Sequence, residues 1–584
     1  MAETSAPVAD DSRTSTAARV GWAILILATL YVCYFSHLGA IGFVGPDEPR
    51  YAWIARDMAE TGDWVTPRLY GKPWFEKPPL FYWGAALSFK LFGVSEAAAR
   101  LPSAVSALLA TLALAWLALR LYGAETARWL LLLLPTTVGM IGFSHAAATD
   151  MPFSAMLTIA MVCGAVVLGL TRNEHTPILP RTPWLALILF GFFLGLAVLA
   201  KGPAAIILSG GAIFFWALLT KHWRDAFRLF HPVAIACFCL TALPWYILCA
   251  RRNPDFFRIF IIEHNFRRYL TPEFQHVQPF WYYGPIIFIA LFPWMTGTMS
   301  ALAIWARMAI RGETTRCETD ATSVLFLAYA VFAILFFSLS KSKLPGYILP
   351  TIPMFGFITA KWLALDIRAR KYWKTRGLVA ISITGSAVLV VVSIQALIWE
   401  SLPQPKPYAL AGIAIAILGV ASTVMCARLG MQGGILGSGA FVVVLFFGCI
   451  NPSFLRWIDT VVSPRPMARI VSSNQNFANN VLSYRLSRGW LYGTNFYLRR
   501  QLQEWSGDPS QPALALVSLD GIKDLRERKI QYTILDRTSF EAMLVEIAKN
   551  EENVKPSGPL SSQLSWSDLR KPLAHTLPGR RQPR

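Results

Sequence analysis

Five short stretches carry residue types suited to acid–base or phosphate chemistry. In the first, Pro46-Asp47-Glu48-Pro49-Arg50, two adjacent acids directly follow a long apolar run. Pro49 suits the first turn of a helix. Tyr51, Ile54, Ala55 and Met58 then recur at helical spacing and Thr61-Gly62 closes the pattern, so the stretch predicts a short amphipathic helix lying at a membrane interface. Asp47 at its start is favoured by the helix dipole, and capping alone would account for one acid there but not for two. The second stretch is Trp74-Phe75-Glu76-Lys77-Pro78-Pro79. Its double proline stiffens the backbone and presents an acid–base pair at the start of a second interfacial helix near residues 80–92, the plain alternative being a surface salt bridge.

The third stretch places Asp150 between two apolar runs, in His145-Ala-Ala-Ala-Thr-Asp-Met-Pro, as a boundary carboxylate or a helix cap. The fourth is Glu263-His264-Asn265-Phe266-Arg267-Arg268. Adjacent guanidiniums suit a phosphate or pyrophosphate, and His264 is a metal ligand or a hydrogen-bonding surface group. The fifth, Ser340-Lys341-Ser342-Lys343-Leu344-Pro345-Gly346-Tyr347, offers cationic and hydroxyl donors at the end of an apolar run, unless its lysines merely reach to the interface. Several acids and several phosphate-binding groups at a lipid boundary point to a reaction on a lipid phosphate.

The elements that must position these groups are membrane helices. Of 584 residues, 54% are hydrophobic and 15% charged, against about 25% charged in soluble proteins. Runs of about 20 apolar residues match the hydrocarbon layer, and in lipid they must be helices. About thirteen spans are expected: 20–42, 101–121, 129–144, 152–170, 184–200, 203–220, 232–250, 281–304, 321–339, 344–365, 378–399, 408–427 and 435–450. Basic clusters such as Arg368/Arg370/Lys371/Lys374/Arg376 set the N-terminus in the cytoplasm, and an odd count puts the tail outside. The opposite loops are basic too, as Arg50, Lys77, Arg267 and Lys343 illustrate, and external cations of this kind suit phosphate. The net charge of +20 is therefore assigned to anionic lipid and not to nucleic acid.

The eight cysteines form no CxxC pair and read as small buried hydrophobes, without disulfides. The polar N-terminus leads into a full-length span, read as a retained helix and not a cleaved signal. After Asn451 turn residues and short strand-like runs (481–486, 494–498, 513–519, 531–535) and a helix-like run (539–550) predict a small external α/β domain with a disordered end. The division is 1–452 for the membrane domain, with an external loop over 43–100, and 453–584 for the tail.

The first-loop motifs DEPRYAWIARDM, GDWVTPRLYGKPWFEKPPLFYW and LFGVSEAAARLPSA, with LAVLAKGP at 196–203 and SKLPGYILP at 342–350, resemble the bacterial transferases that move 4-amino-4-deoxy-L-arabinose onto lipid A. These are relatives of the protein O-mannosyltransferases within the C-type glycosyltransferases (GT-C). The resemblance covers roughly the first 365 residues; the tail is similar in layout alone. It implies a GT-C polytopic α-helical membrane protein with a periplasmic α/β domain, in the bacterial inner membrane. It implies an undecaprenyl-phosphate sugar donor, inverting transfer at the periplasmic face, and lipid A as acceptor. By the same resemblance Asp47 is the leading catalytic aspartate, with Glu76 and Asp150 as further acids, and Glu48 joins them as the second acid of the first stretch. Lys77, Arg267 or Arg268 and Tyr347 meet the donor phosphate, with Lys343 added from the fifth stretch, and a divalent metal such as zinc, if held, sits at Glu76 with His264. The other readings are transfer to protein hydroxyls or another glycan, and a lipid or sugar transporter that breaks no bond. A Walker-type GxxxxGK[ST] loop is missing from the sequence, which removes nucleotide hydrolysis.

Overall fold

The computed structural model describes residues 16–170, 183–267, 277–310, 321–369, 372–398, 406–508, 510–536 and 541–548. Nine helices build the front half: α1 (Thr16–Tyr34), α2 (Asp47–Thr61), α3 (Leu80–Phe92), α4 (Glu96–Tyr122), α5 (Ala124–Leu133), α6 (Val138–Ser144), α7 (Asp150–Val167), α8 (Trp184–Lys201) and α9 (Ala204–Thr220). Each of the thirteen expected spans falls on a helix or a bent helix pair. Among the described residues seven helices are long and apolar enough by themselves to cross a membrane. Two pairs pass together, α5 with α6 bent by 63°, and Phe280–Leu291 with Met295–Arg307 bent by 118°. Shorter apolar helices at Arg19–Tyr34, Ala204–Thr220, Thr351–Leu365 and Gly377–Val391 match the remainder. The first helix ends at Tyr34, with turns from there to residue 41, so it is shorter than the apolar run suggests.

The strong 118° bend still joins opposite ends of the bundle. Val277 bridges to Ser342 at one end, and the Trp216 indole donates to the Ala321 carbonyl (3.1 Å) at the other, so the chain between 280 and 321 changes ends. α7 lies at the centre with nearly every residue buried, as an apolar helix surrounded by helices must be.

At one end the loop between α1 and α4 folds into α2, the two-residue hairpin β1 (Arg68–Leu69) and β2 (Lys72–Pro73), and α3. α2 ends as its sequence suggests: Gly62 takes φ 75° and its N–H donates to the Met58 carbonyl. Its apolar face packs on protein. Tyr51, Ala52, Ile54, Ala55 and Met58 are buried against Phe81, Tyr82 and Phe496, so α2 is enclosed between α3 and the tail.

The tail carries a four-stranded sheet in the order β3-β4-β6-β5. β3 (Leu482–Tyr484) runs parallel to β4 (Ala513–Ser518), while β6 (Ala542–Ile547) pairs antiparallel with both β4 and β5 (Tyr532–Asp536). Three expected strands are found. The run 494–498 instead closes the helix Arg488–Leu498, and the described part of 539–550 is strand β6, because pairing to two neighbours overrides its helical composition. The chain is helical without a break from Gln432 through Val462, so the expected division at 452/453 falls inside a helical run. The end expected to be disordered lies outside the described residues beyond 548.

Candidate active site at the membrane boundary

Asp47 and Glu48 are the first two residues of α2 and do different things. Pro46, the residue before the helix, makes no side-chain cap bond, and Asp47 is half exposed. Glu48 is buried and fully engaged. Its Oε1 accepts from Arg100 Nε (2.9 Å) and the Ala147 N–H (2.7 Å), and its Oε2 from Arg100 Nη2 (2.7 Å) and the Val44 N–H (2.9 Å). Arg100, 1% exposed, also donates to the carbonyls of Leu38, Ile41 and Gly42. The expectation that Glu48 is a reacting acid is corrected by this geometry: no lone pair is left over, and it acts as a clamp that ties α2, α4 and the turn before α7 together.

Arg50 links the acids of the first two motifs. One nitrogen, Nη2, donates to Asp47 and lies 3.1 Å from Glu76 Oε2. Lys77 Nζ lies 3.9 Å from Glu76 Oε1. Burial works against the Arg50 charge, but Glu76, then Tyr51 and Asp47, outweigh it and hold the guanidinium above its ordinary pKa. Its plane meets the rings of Trp74, Tyr51 and Tyr492 at 5.2, 5.4 and 5.8 Å, so the tail contributes one wall. Around this group Arg50 Nε, Trp74 Nε1 and the Tyr82 hydroxyl are buried without a hydrogen-bond partner. Orphaned buried polar atoms are uncommon, and three at one place are donors that a polar ligand would satisfy.

Asp150 opens α7, next to the Glu48-held turn. Lys201, at the end of α8, donates to its Oδ1 (2.5 Å) and sits 4.8 Å over the Tyr347 ring and 5.5 Å over Phe153. The Lys-Leu-Pro-Gly-Tyr segment can approach because Gly346 has no side chain: a Cβ there would lie 2.3 Å from Asp150 Oδ1. Thr149 Oγ1 and Ser342 Oγ are further buried atoms without partners nearby in sequence. Tyr347 also packs on Phe337 (5.2 Å).

Lys343 is placed differently from expectation. Its buried ammonium donates to the carbonyls of Ser340 (2.6 Å) and Gln278 (2.9 Å), and burial followed by Lys341 lowers its pKa. It joins two loops. Arg267 is exposed at the end of the π-helical segment Arg258–Arg267, which also carries His264; Arg268 lies outside the described residues. A zinc site takes about four ligands. Among the described residues no group of three or more His, Cys, Asp or Glu could hold a metal, and Glu76 faces the cations of Arg50 and Lys77.

Lys201 is the addition to the residues singled out in the sequence, and Arg50, noted there as an external cation, takes its place between Asp47 and Glu76. Arg50 carries a usable signal, being the one cation three residues after Asp47. Lys201 stands at the end of an apolar helix and has no such signal in its neighbours. What the assembled groups offer is two carboxylates bridged by a guanidinium, and a lysine–carboxylate pair beside a tyrosine, all at one end of a helix bundle.

Residues 20–260 match the family model for dolichyl-phosphate-mannose-protein mannosyltransferase. The undecaprenyl phosphate-alpha-4-amino-4-deoxy-L-arabinose arabinosyl transferase of Edwardsiella ictaluri (strain 93-146) is 32% identical over 345 residues, 59% of each chain, so this chain matches under two thirds of that relative's length. The enzyme of the same name from Erwinia tasmaniensis is 30% identical over 67% of this chain and 68% of its own. Among solved structures, ArnT from Cupriavidus metallidurans bound to undecaprenyl phosphate superposes with a TM-score of 0.71 at 25% identity, over 90% of this chain and 98% of that one. The chain belongs to the undecaprenyl phosphate-4-amino-4-deoxy-L-arabinose arabinosyl transferase family, of polytopic GT-C architecture.

Proposed function

We propose that this protein transfers a sugar, 4-amino-4-deoxy-L-arabinose, from undecaprenyl phosphate to lipid A, with inversion, at the periplasmic face of the inner membrane. The observation that carries the reading is the convergence of the Asp47–Arg50–Glu76–Lys77 group with three unpartnered buried polar atoms at one end of the bundle.

In the reaction the bond between the anomeric carbon and the donor phosphate oxygen breaks, an acceptor oxygen bonds to that carbon from the other face, and undecaprenyl phosphate leaves with the electron pair. Negative charge collects on the leaving phosphate. Lys77, Arg267 or Arg268, and Tyr347 are assigned to it, with Lys201 holding Asp150 beside Tyr347. Preorganised donors act strongly in a water-poor site. Lys343 keeps the Tyr347 segment in place through its carbonyl contacts, in addition to its proposed part in binding phosphate.

Asp47 takes a role set by the acceptor. A hydroxyl acceptor needs a base at the moment of attack. A phosphate acceptor is already ionised, and Asp47 then orients the acceptor or the sugar amine, or stabilises positive charge at the anomeric carbon. Arg50 holds the Asp47 carboxylate toward Glu76 in either case.

Mass spectrometry of lipid A, other glycans and surface proteins from cells with and without this chain tests the acceptor. An aminoarabinose mass lost from lipid A alone is the expected result. Loss from a protein or another glycan with lipid A unchanged overturns it.

A further inference from the structure

The far side of α2 carries a second cationic site. Arg56 follows Asp47 by nine residues, about two and a half helical turns, and so faces away from it. It lines a cavity of about 270 Å³ between the front loop and the tail, together with Glu96, Arg465, Arg469, Ser472 and Arg499. Four guanidiniums and one carboxylate, Glu96, line it. Arg465 is satisfied by Asp459 (2.6 Å) and Glu96 (3.1 Å), and Glu96 also accepts from the Tyr497 hydroxyl (3.0 Å). Arg56, Arg469 and Arg499 have no carboxylate within 4.0 Å among the described residues.

Arg56 makes the imbalance informative. It is 5% exposed, stacks on Trp53 (4.3 Å) and Phe496 (4.7 Å), and donates to one carbonyl, that of Phe496 (3.1 Å). Burial lowers its pKa; Glu60 acts through space against that, and Arg499 reinforces it. A buried charge with no carboxylate in contact is unfavourable, and an anion in the cavity lowers that penalty. Forked guanidinium donors match phosphate oxygens, and the volume, just under the ~300 Å³ of small-molecule sites, admits a phosphate with a small head group.

We propose that this cavity binds a phosphate group, separate from the donor phosphate assigned to Lys77. The site stands on Arg56, Arg469 and Arg499, whether or not Lys77 meets the donor. The phosphate is either inorganic phosphate or the head group of a phospholipid.

The test measures thermal unfolding of the full-length protein in dodecyl maltoside micelles, which carry no phosphate, all in the Lys77→Gln background. Inorganic phosphate is titrated in one arm against chloride at equal ionic strength, and phosphatidylglycerol is titrated into the micelles in the other. A ligand that binds the folded state raises the midpoint with its concentration. Stabilisation in the first arm identifies free phosphate and in the second a lipid head group, and in either case the double variant Arg469→Gln/Arg499→Gln weakens the apparent affinity by about tenfold or more. These two arginines are exposed and their replacement leaves the Arg56 packing intact. No stabilisation in either arm, or equal stabilisation of the double variant, overturns the proposal.

Discussion

Asp47 and Glu48 are neighbours with opposite fates, and their hydrogen bonds decide it. Glu48 has four donors and a buried guanidinium, and it belongs to the framework. Asp47 has Arg50 and solvent, and it remains available. Breaking a buried pair by removing one partner's charge costs roughly 3–5 kcal/mol. Glu48→Gln should therefore lower unfolding stability by about that amount, read as a drop in the thermal midpoint, while donor affinity of the surviving folded fraction is unchanged. A variant as stable as wild type would mean that the clamp is not needed. The sequence shows two acids but cannot tell them apart, because the partner that makes the difference, Arg100, stands 52 residues away. Lys201 was hidden for the same reason, being 51 residues from Asp150 in an apolar run.

The segment 342–350 acts at the scale of an element. Its 3₁₀ turn, Pro345–Ile348, fits against the start of α7 only with a hydrogen at position 346. Gly346→Ala would set a methyl 2.3 Å from Asp150 Oδ1, also against Phe143 at 3.1 Å, so one of the two elements must move. Overpacking of this kind costs roughly 1–3 kcal/mol. The expected outcome is a fall in transfer rate of about tenfold or more with modest loss of stability, and normal kinetics for this variant would show that Asp150 is not part of the site. The existence of α2 and its glycine end were legible from periodicity and Gly62, because both are local. Its burial was not, since the covering helix Arg488–Leu498 is more than 400 residues later. The strand β6 was misread as a helix for a like reason: its identity comes from β4 and β5.

The whole molecule is organised so that its front loop and tail meet. Gly42 N–H donates to Asp459 (2.6 Å), Phe43 N–H to the Tyr497 hydroxyl (2.9 Å), and Asn495 to the Tyr70 hydroxyl (2.9 Å). A Cβ on Gly42 would lie 2.0 Å from Ser463 Oγ, so the approach is close. Loop and tail therefore occupy the same side, and the helices between them cross an even number of times. In a cysteine-free background, a membrane-impermeant thiol reagent applied to intact spheroplasts should label cysteines placed at Lys72 and Lys523 but not at Arg224, which lies beyond the opposite end of α9. Labelling at Arg224 with protection at the other two would invert the arrangement.

The central claim is that Asp47 serves bond exchange and that the protein is not a carrier. It is tested by transfer in proteoliposomes holding the purified full-length chain, radiolabelled undecaprenyl-phosphate aminoarabinose and lipid A, with Asp47→Asn beside wild type. Positioned acid–base groups contribute roughly 10²–10⁴-fold. The expected result is labelled lipid A with wild type, a rate lowered by about that factor in the variant, and donor binding that is nearly equal in both. Near-wild-type transfer by Asp47→Asn, or movement of the intact donor across the membrane without cleavage, would contradict the account.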